Sequence, residues 1–196
     1  YLDAVTDVAE RFPDRRRADG RHYAIDFSLD EIRSLCVHER TDAEGASALP
    51  GRFPPDAQIF RIPTLAEELT LIRGLNHSTG RDVGWYIEPK APAWHRAEGK
   101  DLLAAVLGLL AEHGLGGAED KVLLQSFDLD ALRRARHELR TELRLVQLIG
   151  ENDWRESPTD CAYLRTEAGL REIAGCAQGI GPWLPQVIEI KDNGSV

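Results

Sequence analysis

Glu88 and Lys90 stand two residues apart in GWYIEPKAP (residues 84–92), at the end of a short apolar run. In an extended chain, residues two apart point to the same face. A carboxylate and an ammonium therefore meet there, and Pro89 points the other way. Such a pair is either a structural ion pair or part of a site. As a site, Glu88 offers an oxygen ligand to a hard cation, Ca²⁺ or Mg²⁺. Lys90 offers positive charge to a phosphate oxygen and to the charge that develops in phosphoryl transfer.

Other reactive residue types form no pattern of their own. Neither G-x-S-x-G nor H-E-x-x-H occurs, and the six histidines lack metal spacing. His77, in LNHSTG, reads as a helix-end residue, where the helix dipole favours His. His95 follows the strand-end loop and reads as a rim residue, with Trp94 as a loop-packing neighbour. Cys36, Cys161 and Cys176 are odd in number and widely spaced, which is not a disulfide framework, so they read as buried or incidental. The Arg15–Arg17 run reads as a solvated face.

The elements that must position Glu88 and Lys90 are legible from residue 62 onward. Thr64 and Glu67 form a capping box, and Leu65, Leu69, Ile72 and Leu75 supply the apolar stripe of a helix that Gly80 follows. A strand over Val83–Glu88 comes next, then a helix from about Lys100 to His113 that stops at Gly114. Strands are expected at 121–127 and 143–150, helices at 128–139 and 166–178, and a short strand end at GIGP, 179–182. This alternation, repeated about four times, calls for a parallel sheet. No Gly-rich phosphate fingerprint follows any strand, which favours a (β/α) barrel over a dinucleotide-binding fold. Glu88, Gln125 and Gln147 lie at or near strand C-terminal ends, where a barrel places its site.

Residues 1–61 read differently. They form a loop-rich stretch with a charged segment, a short extended piece and a short helix over Leu29–Leu35, for which Ser28 is the expected N-cap. RTDAEGASALPGRFPPDA reads as irregular loop. The whole chain of 196 residues reads as one domain, and its 42% hydrophobic and 29% charged content is that of an ordinary globular chain. A net charge of −9 argues against nucleic acid as a partner. No apolar run reaches the ~18 residues of a membrane span.

YIEPKAP, LQSFD, LVQLIG and GIGP, together with YLDAVTDVAERFPD, YAIDFSLDEIRSL, PGRFP, IPTLAEEL and GLNHSTG, resemble the longer, periplasmic-type bacterial glycerophosphodiester phosphodiesterases. The likeness implies an α/β fold, a (β/α)₈ TIM barrel. In it residues 1–61 would be the insertion after barrel strand 2, and residues 62–196 would be part of the barrel. It implies hydrolysis of glycerophosphodiesters to an alcohol and glycerol 3-phosphate, in phospholipid and glycerol metabolism, with a bound divalent metal, Ca²⁺ ahead of Mg²⁺. By the same likeness Glu88 is a metal ligand, Lys90 a catalytic and phosphate-binding residue, and Gln125 a substrate-binding residue. The periplasm or the exterior is the implied location, and a homodimer stays open.

The family's E-x-D carboxylates and its H-R-G and H-D histidines fall before Tyr1 in this likeness, and its last two strands fall after Val196. The chain is therefore expected to be an internal part of the enzyme, incomplete at both ends and inactive alone. A non-catalytic barrel relative that binds a glycerophospho-group or a protein partner is the alternative. The same-face Glu88 and Lys90 favour the enzyme.

Overall fold

Among the described residues of the computed structural model, buried apolar side chains form a core in each of two units, Tyr1–Leu71 and Ile72–Val196. Residues 1–40, 46–49 and 59–188 are described. PGRFP and most of the loop expected around it lie outside them.

The first unit contains short helices, α1 (Val8–Arg11) and α2 (Leu29–Ser34), and 3₁₀ turns at Leu2–Ala4, Pro13–Arg15 and Ala24–Asp26. Ser28 starts α2 as expected: its Oγ accepts from Glu31 N at 3.3 Å, and its own N donates to Glu31 Oε2 at 2.7 Å. The unit is more than loop. Leu2, Val8, Phe27 and Leu35 are buried together, with Phe12, Ile32 and Ile62 packed on them. A 3₁₀ turn at Ala24–Asp26 leads into α2. The Arg15–Arg17 run is also only partly solvated. Arg17 grips the Asp26 carboxylate at 2.6 and 2.7 Å, and Arg15 pairs with Glu31 at 3.1 Å while lying over the Phe27 ring. Arginine stems cover apolar surface while their heads find carboxylates. The Arg17 guanidinium holds the Asp26 carboxyl below its usual range.

Helix α3 (Leu65–Thr79) runs across the boundary between the units. Its capping box is closed, with Thr64 N donating to Glu67 Oε2 at 2.7 Å and Glu67 N to Thr64 Oγ1 at 3.2 Å. Of the expected apolar stripe, Leu69 is fully buried, Leu65 and Ile72 are half-buried, and Leu75 is exposed. A 3.6-residue stripe marks one face but does not say how much of its length is covered.

The second unit is an α/β layer. Its elements are β1 (Trp85–Ile87), α4 (Pro92–Ala97), α5 (Leu102–Glu112), β2 (Val122–Ser126), α6 (Leu129–His137), β3 (Arg144–Ile149), α7 (Cys161–Leu164), α8 (Glu167–Ala174) and β4 (Gly179–Pro182). The four strands are all parallel, in the order β1-β2-β3-β4. Among the described residues the sheet is open, as the expected incomplete barrel would be. Asp101, Asp128 and Thr166 cap α5, α6 and α8 by accepting a backbone N–H.

Register decides which residues meet. Ile87 pairs with Leu124, and Leu124 with Leu145. These residues and Ile149 pack on Leu103, Leu129, Leu132, Leu164 and Ile173 from the helices. Cys161 and Cys176 are buried thiols in this core, and burial pushes the Cys176 thiol up. Tyr86, Leu123, Gln125, Val146 and Leu148 take the opposite face by alternation. The first face is layered with helices, and β1 is not the buried strand that its composition suggested. It is three residues long, and both Tyr86 and Val83 are exposed.

Candidate active site

Glu88, Pro89 and Lys90 follow β1 directly and lead into α4. Pro89 is buried, Glu88 is half-buried, and Lys90 is exposed. The alternation expected at a strand end therefore continues past the last paired residue. Ala91 then adopts a left-handed conformation with φ 45°, and Pro92 opens α4 at a position where no N–H is needed. Pro89 restricts the backbone of Glu88, the residue before it.

Lys90 Nζ stands 3.1 Å from Glu88 Oε1 and 3.9 Å from Glu156 Oε2. Glu156 comes from the segment after β3 and was not legible as a site residue, because no spacing links it to the E-P-K run. The Lys90 ammonium also lies 6.0 Å from the centre of the Phe127 ring. Phe127 follows β2. Its carbonyl is held by Ser157 Oγ and by Gln147 Nε2, both donating at 2.9 Å. A small cleft at these strand ends is lined by Glu88, Pro89, Ser126, Phe127, Asp128 and Glu156.

Gln125 is half-buried on the sheet face that carries Leu123, and its side-chain amide takes no hydrogen-bond partner among the described residues. The structure shows no contact between it and Glu88 or Lys90. Gln147 departs from expectation. Ser126 pairs with Gln147, so Gln147 belongs to the helix-covered face with Leu124 and Leu145 and is fully buried. Its Nε2 donates to Phe127 O and Leu148 O, while its Oε1 has no partner. It supports the loop that carries Phe127 and does not line the cleft.

His77 lies near the end of α3 and is exposed, as expected. His95 follows the strand-end loop, as expected. It lies within α4, its Nδ1 is 3.0 Å from Ala91 O, and its ring meets Trp94 edge-on at 4.8 Å. Helix α4 escaped the sequence reading because its six residues are too few to show an apolar period.

A half-buried carboxylate is the right donor for a hard divalent cation. Among the described residues, however, no group of three His, Cys, Asp or Glu side chains comes together to hold one. Glu88 alone is not a metal cage, and Lys90 already occupies one of its oxygens. The geometry offers positive charge to an anion: an exposed ammonium, with the Glu88 carboxylate on its buried side and Glu156 at 3.9 Å, stands at the C-terminal end of a parallel sheet. Among the described residues, no helix is long and apolar enough to cross a membrane.

Comparison with known proteins points the same way. The model of the glycerophosphoryl diester phosphodiesterase family matches residues 1–195. A glycerophosphodiester phosphodiesterase of Haemophilus influenzae is 39% identical over 199 residues, covering 93% of this chain and 55% of the relative. One of Treponema pallidum is 36% identical over 205 residues, covering 96% of this chain and 58% of the relative. The chain thus spans somewhat more than half the length of the curated relatives it matches.

Proposed function

The chain belongs to the glycerophosphoryl diester phosphodiesterase family, and from that membership we propose that the protein carrying it hydrolyses glycerophosphodiesters to an alcohol and glycerol 3-phosphate. In this reaction a water oxygen bonds to phosphorus as the bond from phosphorus to the alcohol oxygen breaks. The water's proton ends on the departing alcohol.

The observation that carries the reading is the placement of Lys90. Its side chain is 66% exposed while its partner Glu88 is 21% exposed. The ammonium is therefore reachable by a phosphate and is held from the protein side. A non-bridging phosphate oxygen approaching Lys90 gains a charge-assisted hydrogen bond, and the bond strengthens as negative charge accumulates on the equatorial oxygens. Glu88 keeps the ammonium at the strand end, and Gln125, on the neighbouring strand, is a candidate for a hydroxyl of the glycerol.

The resemblance of E-P-K to the family's metal motif supports Glu88 as one oxygen ligand of a divalent cation, Ca²⁺ or Mg²⁺. The described residues do not complete such a site, so Lys90 and Glu88 alone enter the reaction above. The same resemblance supports a periplasmic or secreted location, a role in phospholipid and glycerol metabolism, and a small-molecule glycerophosphodiester as the partner.

The test is release of glycerol 3-phosphate from glycerophosphocholine by the enzyme carrying this chain. Lys90→Met should lower kcat/KM by ~10²-fold, the size expected for one preorganised charge. Unchanged turnover in that variant would remove Lys90 from the reaction.

A further inference from the structure

Lys90 carries one positive charge between two negative ones. Glu88 Oε1 stands 3.1 Å from its Nζ, and Glu156 Oε2 stands 3.9 Å away. The first distance is that of a hydrogen-bonded pair. The second is too long for a hydrogen bond and leaves a purely electrostatic contact. The two acids also differ in exposure, 21% for the Glu88 side chain and 44% for that of Glu156. Glu88 holds the ammonium from the protein side. Glu156 has no such holding role, and its charge faces solvent.

The backbone around Glu156 is nevertheless held from both directions. Ser157 Oγ donates to Phe127 O at 2.9 Å, and Leu129 N donates to Thr159 Oγ1 at 3.0 Å. Thr159 N donates to Ser157 Oγ at 3.2 Å and joins the two. The segment that carries Glu156 is thereby latched to the turn between β2 and α6. On the other side of Glu156, Arg155 is left-handed with φ 54°, as Ala91 is directly after Lys90. Such conformations persist where the surroundings fix them.

The cleft beneath the two loops is small and acidic. Glu88, Asp128 and Glu156 line it, and its volume of about 10 Å³ admits about one water. Asp128 is buried and caps α6 through Ala131 N at 3.0 Å. Arg155 lines the neighbouring cleft, beside Trp154 and Cys161, and not this one. A phosphate has no room below, so it meets Lys90 from the solvent side. Of the three carboxylates, Glu156 is the one exposed on that approach.

We infer that Glu156 is a specificity-determining residue, whose carboxylate selects a phosphodiester over a phosphomonoester at Lys90. Charge makes the selection. A diester carries one negative charge, whereas a monoester carries about −1.5 to −2 at pH 7, because its second ionisation lies near pH 6. A phosphate oxygen bonded to Lys90 stands within the ~8 Å screening length of Glu156. The ammonium matches the first negative charge, and the second meets the carboxylate without compensation. The same repulsion favours departure of glycerol 3-phosphate, since hydrolysis turns a monoanion into a near-dianion. That product role rests on the proposed function.

The experiment is calorimetric titration of the enzyme carrying this chain with glycerol 3-phosphate and with dimethyl phosphate, at constant ionic strength, at pH 7.5 and pH 5. In Glu156→Gln at pH 7.5, glycerol 3-phosphate should bind about tenfold tighter than to the parent and dimethyl phosphate about threefold tighter, since each phosphate charge is relieved of one repulsion. At pH 5 glycerol 3-phosphate is mostly a monoanion, and its gain should fall to that of dimethyl phosphate. Glu156→Asp keeps the charge and should keep the parental ratio of the two affinities. A parental ratio in Glu156→Gln at pH 7.5 would overturn the inference. So would weaker binding of both phosphates, or no phosphate binding by the parent. If Glu156→Gln does not fold, Glu156→Ala decides by the same criterion. Turnover of glycerophosphocholine separates the two readings. A shifted ratio without turnover supports the charge selection and counts against the phosphodiesterase reading. Turnover with an unshifted ratio keeps that reading and overturns the inference alone.

Discussion

Lys90 Nζ lies 3.1 Å from Glu88 Oε1, across a proline whose ring is buried on the other side of the chain. The pair is lopsided, since the acid is the more buried partner and the base the more exposed. A pair with one solvated member contributes at most about 0.5–1 kcal/mol to folding. Lys90→Met should therefore leave the melting temperature within about 2–4 °C of the parent. Glycerol 3-phosphate should bind at least tenfold more weakly to that variant. Circular dichroism melting and calorimetric titration measure the two effects. A variant that unfolds would assign Lys90 to the fold instead.

Calcium binding by residues 1–196 should be weak. A Ca²⁺ ion takes six to eight oxygen ligands, and Glu88 stands without a cluster of further ligands among the described residues. A dissociation constant above about 1 mM is expected, with Glu88→Gln weakening it further. Calorimetry decides, and a micromolar constant would mean that other ligands complete the site.

Gly150→Ala tests how Trp154 lies across the end of β3. The new methyl would press on Trp154 Cε3 and Cζ3, built at 2.5 and 2.7 Å. Trp154 is a surface side chain and can swing away, so the loss of stability should stay near the lower end of the ~1–3 kcal/mol expected for overpacking. The larger effect should be spectroscopic, as Trp154 emission moves toward that of a solvated indole. An unchanged spectrum would show that the ring is not held over Gly150.

Asp101 gives a pH dependence with a definite sign. Its carboxylate caps α5 through Ala104 N at 3.1 Å and binds both terminal nitrogens of Arg134, at 2.9 and 2.5 Å. The Arg134 guanidinium, ahead of the backbone bond, holds the carboxyl below its ordinary value of 3.8. A carboxyl that titrates lower in the folded state stabilises fully above its unfolded value, and that contribution disappears as pH falls through the folded one. Asp101→Asn keeps a capping side chain and loses the ion pair, so it should cost about 0.5–1 kcal/mol at pH 7. The gap to the parent should close below pH ~3.8. Urea unfolding at pH 7 and pH 3 checks this, and a gap that widens in acid would contradict the assignment.

Local patterning determined much of this protein. Apolar runs marked the bodies of β2 at Val122–Ser126 and β3 at Arg144–Ile149, and polar spacing marked the caps at Ser28–Glu31 and Thr64–Glu67. Two-residue alternation alone placed Glu88 and Lys90 on one face, because extended geometry persists one step beyond the last ladder bond. Those features depend on residues within a turn or two of one another. The tertiary structure decided the rest. Gln125 and Gln147 look alike as polar residues near strand ends, but the pairing of Ser126 with Gln147 sends them to opposite faces. A register is a relation between two strands, and neither strand carries it alone. Glu156 reaches Lys90, and Phe127, Trp154 and Trp183 meet, only because the sheet sets the ends of four strands side by side. Chain spacing carries no trace of such meetings, since the contacts that bring them about are paid for by the buried helix-covered face and not by the residues that meet.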